Sequence, residues 1–232
     1  MDATPAVERR QHQESALTRL QAQAISFALG LWRLTLLAMI LAPVILLSLL
    51  TIDVPFRAID HFFRSESLRP GNWLTVGVFV MTLGPMLSVL QARRYGGDEA
   101  SRAVTLAWAL SAIAVMAEFT YLAPELEAGD LPSVRFAIGF AAAGMTGQFV
   151  AIGLYDVLRG GGPWWRAPLY ALLIGYAVHV VLFYAIGYGA SQAPWMHWMV
   201  TDFGVKAASS VVFLVIYMTL RKALRPSGGL GG

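Results

Sequence analysis

Residues 166–188 read RAPLYALLIGYAVHVVLFYAIGY, with one charge at the first position and none after it. An α-helix needs ~20 predominantly apolar residues to cross the hydrocarbon core of a bilayer, and this stretch supplies them without interruption. Five further segments of the same character surround it, at 28–50, 73–92, 102–122, 134–158 and 198–221. The breaks between them are short and carry turn-forming residues: Arg69-Pro70-Gly71-Asn72, Tyr95-Gly96-Gly97-Asp98, Ala128-Gly129-Asp130 and Gly160-Gly161-Gly162-Pro163. The expected fold is all-α, a polytopic membrane bundle of six transmembrane helices.

Composition agrees with that reading and narrows the function classes. The 232 residues are 57% hydrophobic and 13% charged, about half the charge of an ordinary soluble domain. There is no cysteine, which excludes disulfide scaffolds, thiolate nucleophiles and thiolate metal sites. The four histidines (His12, His61, His179, His197) fall in different segments, and no catalytic spacing or phosphate-cradling glycine loop is present. No enzyme, cofactor or metal is expected. The net charge of +3 comes from basic residues scattered over helix ends, which argues against nucleic acid as a partner.

Those basic residues set the expected topology, because Lys and Arg accumulate on the cytoplasmic side of short loops. Eleven lie on one side: Arg9, Arg10, Arg19, Arg93, Arg94, Arg102, Arg159, Arg166, Arg221, Lys222 and Arg225. Three, Arg57, Arg64 and Arg69, lie on the other. Both termini are therefore expected in the cytoplasm. Trp73, Trp164, Trp165, Trp195 and Trp198 fall at segment boundaries, where indole rings favour the headgroup level. Residues 1–24 read as a polar cytoplasmic segment, 25–224 as the membrane domain and 225–232 as a flexible tail. The first apolar segment is too long for a signal-peptide core and is expected to stay attached.

Ionisable groups inside spans are costly and mark candidate functional positions. They are Arg33, Glu118, Arg135, His179, Asp202 and Lys206. Asp202 and Lys206 stand four apart and share a helix face, either as a self-neutralised pair that lets the helix insert or as part of a pathway. Counted from the segment ends, Glu118, Arg135, Asp202 and Lys206 are expected together in the outer half of the membrane. Arg33 is expected to snorkel towards the cytoplasm. Gln148 and His179 fall near the midplane within Gly144-Met145-Thr146-Gly147-Gln148 and Gly175-Tyr176-Ala177-Val178-His179. Small residues let helices approach, so each polar group is either an interhelical hydrogen-bonding partner or a ligand contact. Gly84-Pro85 in the second span and Pro43 in the first each remove a backbone donor, free a carbonyl and can kink the helix, either bordering a substrate cavity or as inert features of a span. The small positions Gly139, Ala143 and Gly147 form a face that could dock another membrane helix.

A set of motifs in fixed order suggests a family. They are Gly77 and Phe79, Arg93-Arg94-Tyr95-Gly96, Arg135, Gly147-Gln148, Leu154-Tyr155-Asp156-Val157-Leu158-Arg159, Trp164-Trp165-Arg166-Ala167-Pro168, Gly175, and Thr201-Asp202-Phe203-Gly204-Val205-Lys206. Over residues 73–222 the chain resembles the queuosine-precursor transporters, also called the vitamin-uptake-transporter family, which are six-helix inner-membrane proteins. The resemblance implies uptake of a 7-deazaguanine, such as 7-cyano-7-deazaguanine, across a bacterial inner membrane for tRNA modification. Three acidic positions of the family pattern are occupied here by Val89, Ala151 and His179, and the asparagine pattern of its first helix has no counterpart in 34–52. The polar groups left to contact a flat heterocycle are Gln148, Tyr176, His179, Asp202 and Lys206, with Ser88 contributing less. Glu118 and Arg135 are read as pathway charges. The alternative is a transport-inactive accessory subunit of a membrane complex on the same scaffold. Expected partners are a small heterocyclic substrate, membrane lipid, and a second copy or membrane-complex partner.

Overall fold

The computed structural model describes residues 4–58, 60–64, 66, 69–72, 74–122, 133–192 and 194–226, with side chains from Thr18 onward. Trp73, the 123–132 connection and the tail beyond Pro226 lie outside the described residues. Seven helices follow in order: α1 Thr4–Leu50, α2 Val76–Met81, α3 Leu83–Tyr95, α4 Gly97–Leu122, α5 Val134–Leu158, α6 Arg166–Tyr188 and α7 Trp195–Leu220. Among the described residues, α2 and α3 together make one span, and six helical stretches are long and apolar enough to cross a membrane. The all-α six-span fold expected from the sequence is the one observed.

Three features of the helix boundaries have a clear physical reason. The first helix does not begin at the apolar segment but runs unbroken from Thr4. Its 47 residues extend about 70 Å at ~1.5 Å per residue, more than twice a hydrocarbon core. The second span is interrupted at Thr82, between α2 and α3. Pro85 explains this, since it lacks the N–H that would bond the Met81 carbonyl. The third span starts at Gly97 rather than 102 because Gly96, at φ +94°, lets the chain reverse within a single residue of α3.

α5 and α6 form the most extensive pair, and glycines are the reason. A β-carbon on Gly147 would stand 2.8 Å from the His179 β-carbon and 2.9 Å from the Gly175 carbonyl oxygen, and one on Gly175 would stand 2.8 Å from the Gly147 carbonyl oxygen. Gly139 likewise abuts the Gly187 backbone. The Gly139, Ala143 and Gly147 face read from the sequence as a dock for another helix is thus covered by the chain's own α6. Buried side chains tie α1 to its neighbours: the Gln91 amide donates to the Leu37 carbonyl at 2.9 Å and the Ser48 hydroxyl to the Gly77 carbonyl at 2.7 Å. α7 packs chiefly on α6 and touches α2 and α3 little.

The hydrogen bonds of Arg93 with the Arg221 carbonyl and of Arg159 with the Ala92 carbonyl mark one end of the bundle as proximal. That proximal end holds the α3–α4 turn, the 159–165 connection and the end of α7. The distal end is formed by the 51–75 connection, whose Val54 and Phe56 pair with Val76 and Leu74 through backbone hydrogen bonds.

Candidate functional site

Five of the polar residues singled out in the sequence are buried: Gln148 on α5, Tyr176 and His179 on α6, and Asp202 and Lys206 on α7. Tyr176 and Gln148 converge on the Thr82 interruption from two helices. The Tyr176 hydroxyl donates to the Thr82 carbonyl at 2.5 Å. Gln148, fully buried, accepts from the Trp108 indole N–H through Oε1 at 3.2 Å. That donor fixes the orientation of the amide, since an indole nitrogen only donates. Gln148 Nε2 then points at Gly84, where an added β-carbon would sit 2.5 Å from it. Glycine at 84 is what gives the amide room.

Asp202 and Lys206 form the expected ion pair one turn apart, each 1% exposed. The pair faces α6: Asp202 is near enough to Tyr176 and Tyr184, and Lys206 to His179, for direct electrostatic interaction. α7 begins three residues earlier than the apolar segment, at Trp195, which puts Lys206 about 16 Å along the helix. His179 lies within hydrogen-bonding reach of the Ala143 backbone and stacks on Phe183 with ring centroids 6.2 Å apart.

Among the described residues, Gln148 Nε2 and Asp202 Oδ2 have no hydrogen-bond partner. A buried donor or acceptor left unpaired costs roughly 1–3 kcal/mol. Membrane interiors offer no bulk water to relieve that cost. Gln148 on α5, beside Gly84, thus keeps an unused amide donor, and Asp202 on α7 an unused carboxylate acceptor, both in the bundle interior.

The remaining sequence candidates lie elsewhere. Ser88 spends its hydroxyl on the Gly84 carbonyl at 2.9 Å, one turn along α3. Arg135 is exposed and donates to the Ile186 carbonyl near the end of α6. Glu118 is half-exposed on α4. Among the described residues no ion pair joins Glu118 or Arg135 to Asp202 or Lys206, so the four charges expected to balance one another are not gathered. Arg33 pairs with Glu99 at 3.8 Å and lies over the Tyr95 ring. Val89 and Ala151 are completely buried. Ala151 faces Gly175 where α5 and α6 are closest, so helix approach accounts for its small side chain.

Sequence reasoning missed a cavity at the distal end. A cavity of about 240 Å³ opens at the distal end between the 51–75 connection and the helix ends, lined by Asp53, Asn72, Thr75, Tyr184, Tyr188 and Trp198. Its inner wall includes Phe183 and Tyr184, the same aromatic layer that adjoins His179 and Asp202. Trp198 and Tyr188 pack edge to face at 5.7 Å across its mouth. The only hint in the sequence was the density of aromatic residues around 183–198, which reads equally well as an interfacial belt.

Residues 75–220 match the model of a family described as "putative vitamin uptake transporter". No curated protein and no solved structure matches the chain. The matched region contains all of α2 to α7, including every residue of the buried polar cluster and the interruption at Thr82. The chain is a multi-pass membrane protein that belongs to the vitamin uptake transporter family.

Proposed function

We propose that the protein imports a flat, hydrogen-bonding heterocycle, a 7-deazaguanine such as 7-cyano-7-deazaguanine used as a queuosine precursor, across a bacterial inner membrane. The observation that carries this reading is the pair of unpartnered buried atoms, Gln148 Nε2 and Asp202 Oδ2. A deazaguanine ring edge carries a carbonyl acceptor beside N–H donors, the complement of an amide donor and a carboxylate acceptor. Tyr176, His179 and Lys206 complete the polar lining, and Trp108 holds the Gln148 amide in place. Entry is by the distal cavity, with that end facing the periplasm and both termini in the cytoplasm.

The test is complementation. Cells unable to make or take up queuosine precursors, supplied with this chain and 7-cyano-7-deazaguanine, are expected to regain queuosine in their tRNA. Gln148→Leu is expected to lower the initial rate at least tenfold while the protein still reaches the membrane. Normal expression without any recovery would overturn the substrate assignment and favour the accessory-subunit reading.

A further inference from the structure

The proximal end of the bundle is shut by one side-chain cluster drawn from four parts of the chain. The Arg93 guanidinium on α3 donates to the Tyr217 hydroxyl at 3.0 Å and to the Arg221 carbonyl at 2.8 Å, both on or just after α7. The Tyr217 hydroxyl in turn shares a hydrogen bond of 2.8 Å with Tyr155 on α5. Trp164, in the connection between α5 and α6, stacks parallel on the Tyr217 ring, and Arg221 lies over the indole. Outside this cluster is a shallow cavity of about 120 Å³ lined by Arg159, Gly162 and Trp164, which ends at Arg93 and Tyr217.

The same residues lie at the end of a continuous stripe. The buried positions of α7 are Asp202, Lys206, Ser210, Phe213 and Tyr217, spaced three or four apart and hence on one face. That face leads from the buried ion pair to the Tyr217 hydroxyl over about 16 Å. α7 is otherwise loosely held on this side. It makes few contacts with α2 and α3, and an apolar cavity of about 420 Å³ separates them, lined by Phe79, Leu83, Met86, Val205, Val212 and Phe213. Arg93 is thus the buried polar tie between α3 and α7, with the exposed Arg94 donating to the Arg225 carbonyl further out, and there is empty space beside the helix they restrain.

The geometry points to a releasable latch: Arg93, Tyr155 and Tyr217 close the path from the buried polar cluster to the proximal face, and breaking their bonds lets α7 swing from α3 and opens that path. Hydrogen bonds and a cation over an aromatic ring suit such a device, because water entering the opened end replaces them at little net cost. This inference rests on the chain being a transporter and not on which solute it carries.

The absence of native cysteine makes the test direct. Ser210→Cys places one thiol on the stripe, between Lys206 and the latch, with a side chain close in size to the serine it replaces. The cationic thiosulfonate MTSET, which does not cross membranes, is applied to vesicles of either orientation, and a C-terminal tag reports the exposed face. In the Ser210→Cys protein, labelling from the C-terminal face is expected to be slow. Adding Arg93→Gln, or Tyr217→Phe, which removes only a hydroxyl, is expected to raise that rate at least tenfold and leave labelling from the opposite face unchanged. An unchanged rate in a monodisperse double variant overturns the latch, as does an equal rise from both faces, which signals general loosening. Labelling needs no solute, so latch-dependent labelling in a protein that imports no deazapurine overturns the substrate assignment and leaves the latch standing.

Discussion

Lys206→Met leaves Asp202 buried and facing no cation, a change that typically costs about 3–5 kcal/mol. The expected result is a protein that unfolds at much lower temperature in detergent, or fails to accumulate. The double variant Asp202→Asn with Lys206→Met removes both charges and is expected to regain most of the lost stability, since apolar or neutral replacements of buried pairs are often tolerated. Its transport is expected to stay absent. Thermal unfolding and uptake measured on the same preparations separate the two roles, and a stable double variant with normal uptake would make the pair a device for helix insertion alone. The sequence made the pair legible, because a four-residue spacing places two charges on one face whatever surrounds the helix. It did not reveal that Asp202 keeps one unpartnered oxygen, as that depends on what α6 brings alongside. Arg93 shows the limit most clearly: in the sequence it counts as one of many cytoplasmic arginines, yet it is 8% exposed because a tyrosine more than a hundred residues later bonds to it.

At the level of helices, glycine positions that look alike in the sequence differ in consequence. Gly175→Ala would put a β-carbon 2.8 Å from the Gly147 carbonyl oxygen and 2.9 Å from the Ala151 side chain, a clash that backbone atoms relieve only by moving apart. Overpacking of this kind costs roughly 1–3 kcal/mol, so a clear drop in unfolding temperature is expected. Gly153→Ala meets nothing within 4 Å and is expected to be neutral or to add about 0.5–1 kcal/mol. Calorimetry on the two variants that gave equal effects would contradict the close α5–α6 approach. Pro85 offers a second case. Pro85→Ala restores a donor for the Met81 carbonyl and merges α2 with α3, so stability is expected to hold or rise, while uptake falls several-fold if movement occurs at this joint. Lower stability with full uptake would reduce Pro85 to a packing residue. Apolar length located all six spans in advance, whereas the continuation of α1 back to Thr4 was not legible, since a polar helix and a polar coil share a composition.

The whole molecule is polarised in charge and in shape, and the two polarities agree. Arg93, Arg94, Arg159 and Arg221 all lie at the proximal end, where the acids close to them are few, Asp156 being paired with Arg159 at 3.0 Å. The opposite end carries the larger opening, beside Asp53 and Asn72. If basic residues stay with the cytoplasm, the open cavity faces outward and the latched end inward, the arrangement an importer needs before its solute arrives. Single cysteines decide this in a chain that has none of its own. Asn72→Cys, at the exposed mouth of the cavity, is expected to react with an impermeant thiol reagent in intact, right-side-out vesicles, and Arg225→Cys only in inverted ones. The reverse pattern would turn the molecule over, making the distal cavity an exit and the Arg93–Tyr217 closure an outer gate. Reaction of both positions from one side would be more damaging, because two ends of a six-span bundle cannot share a face, and the helix count itself would then be wrong.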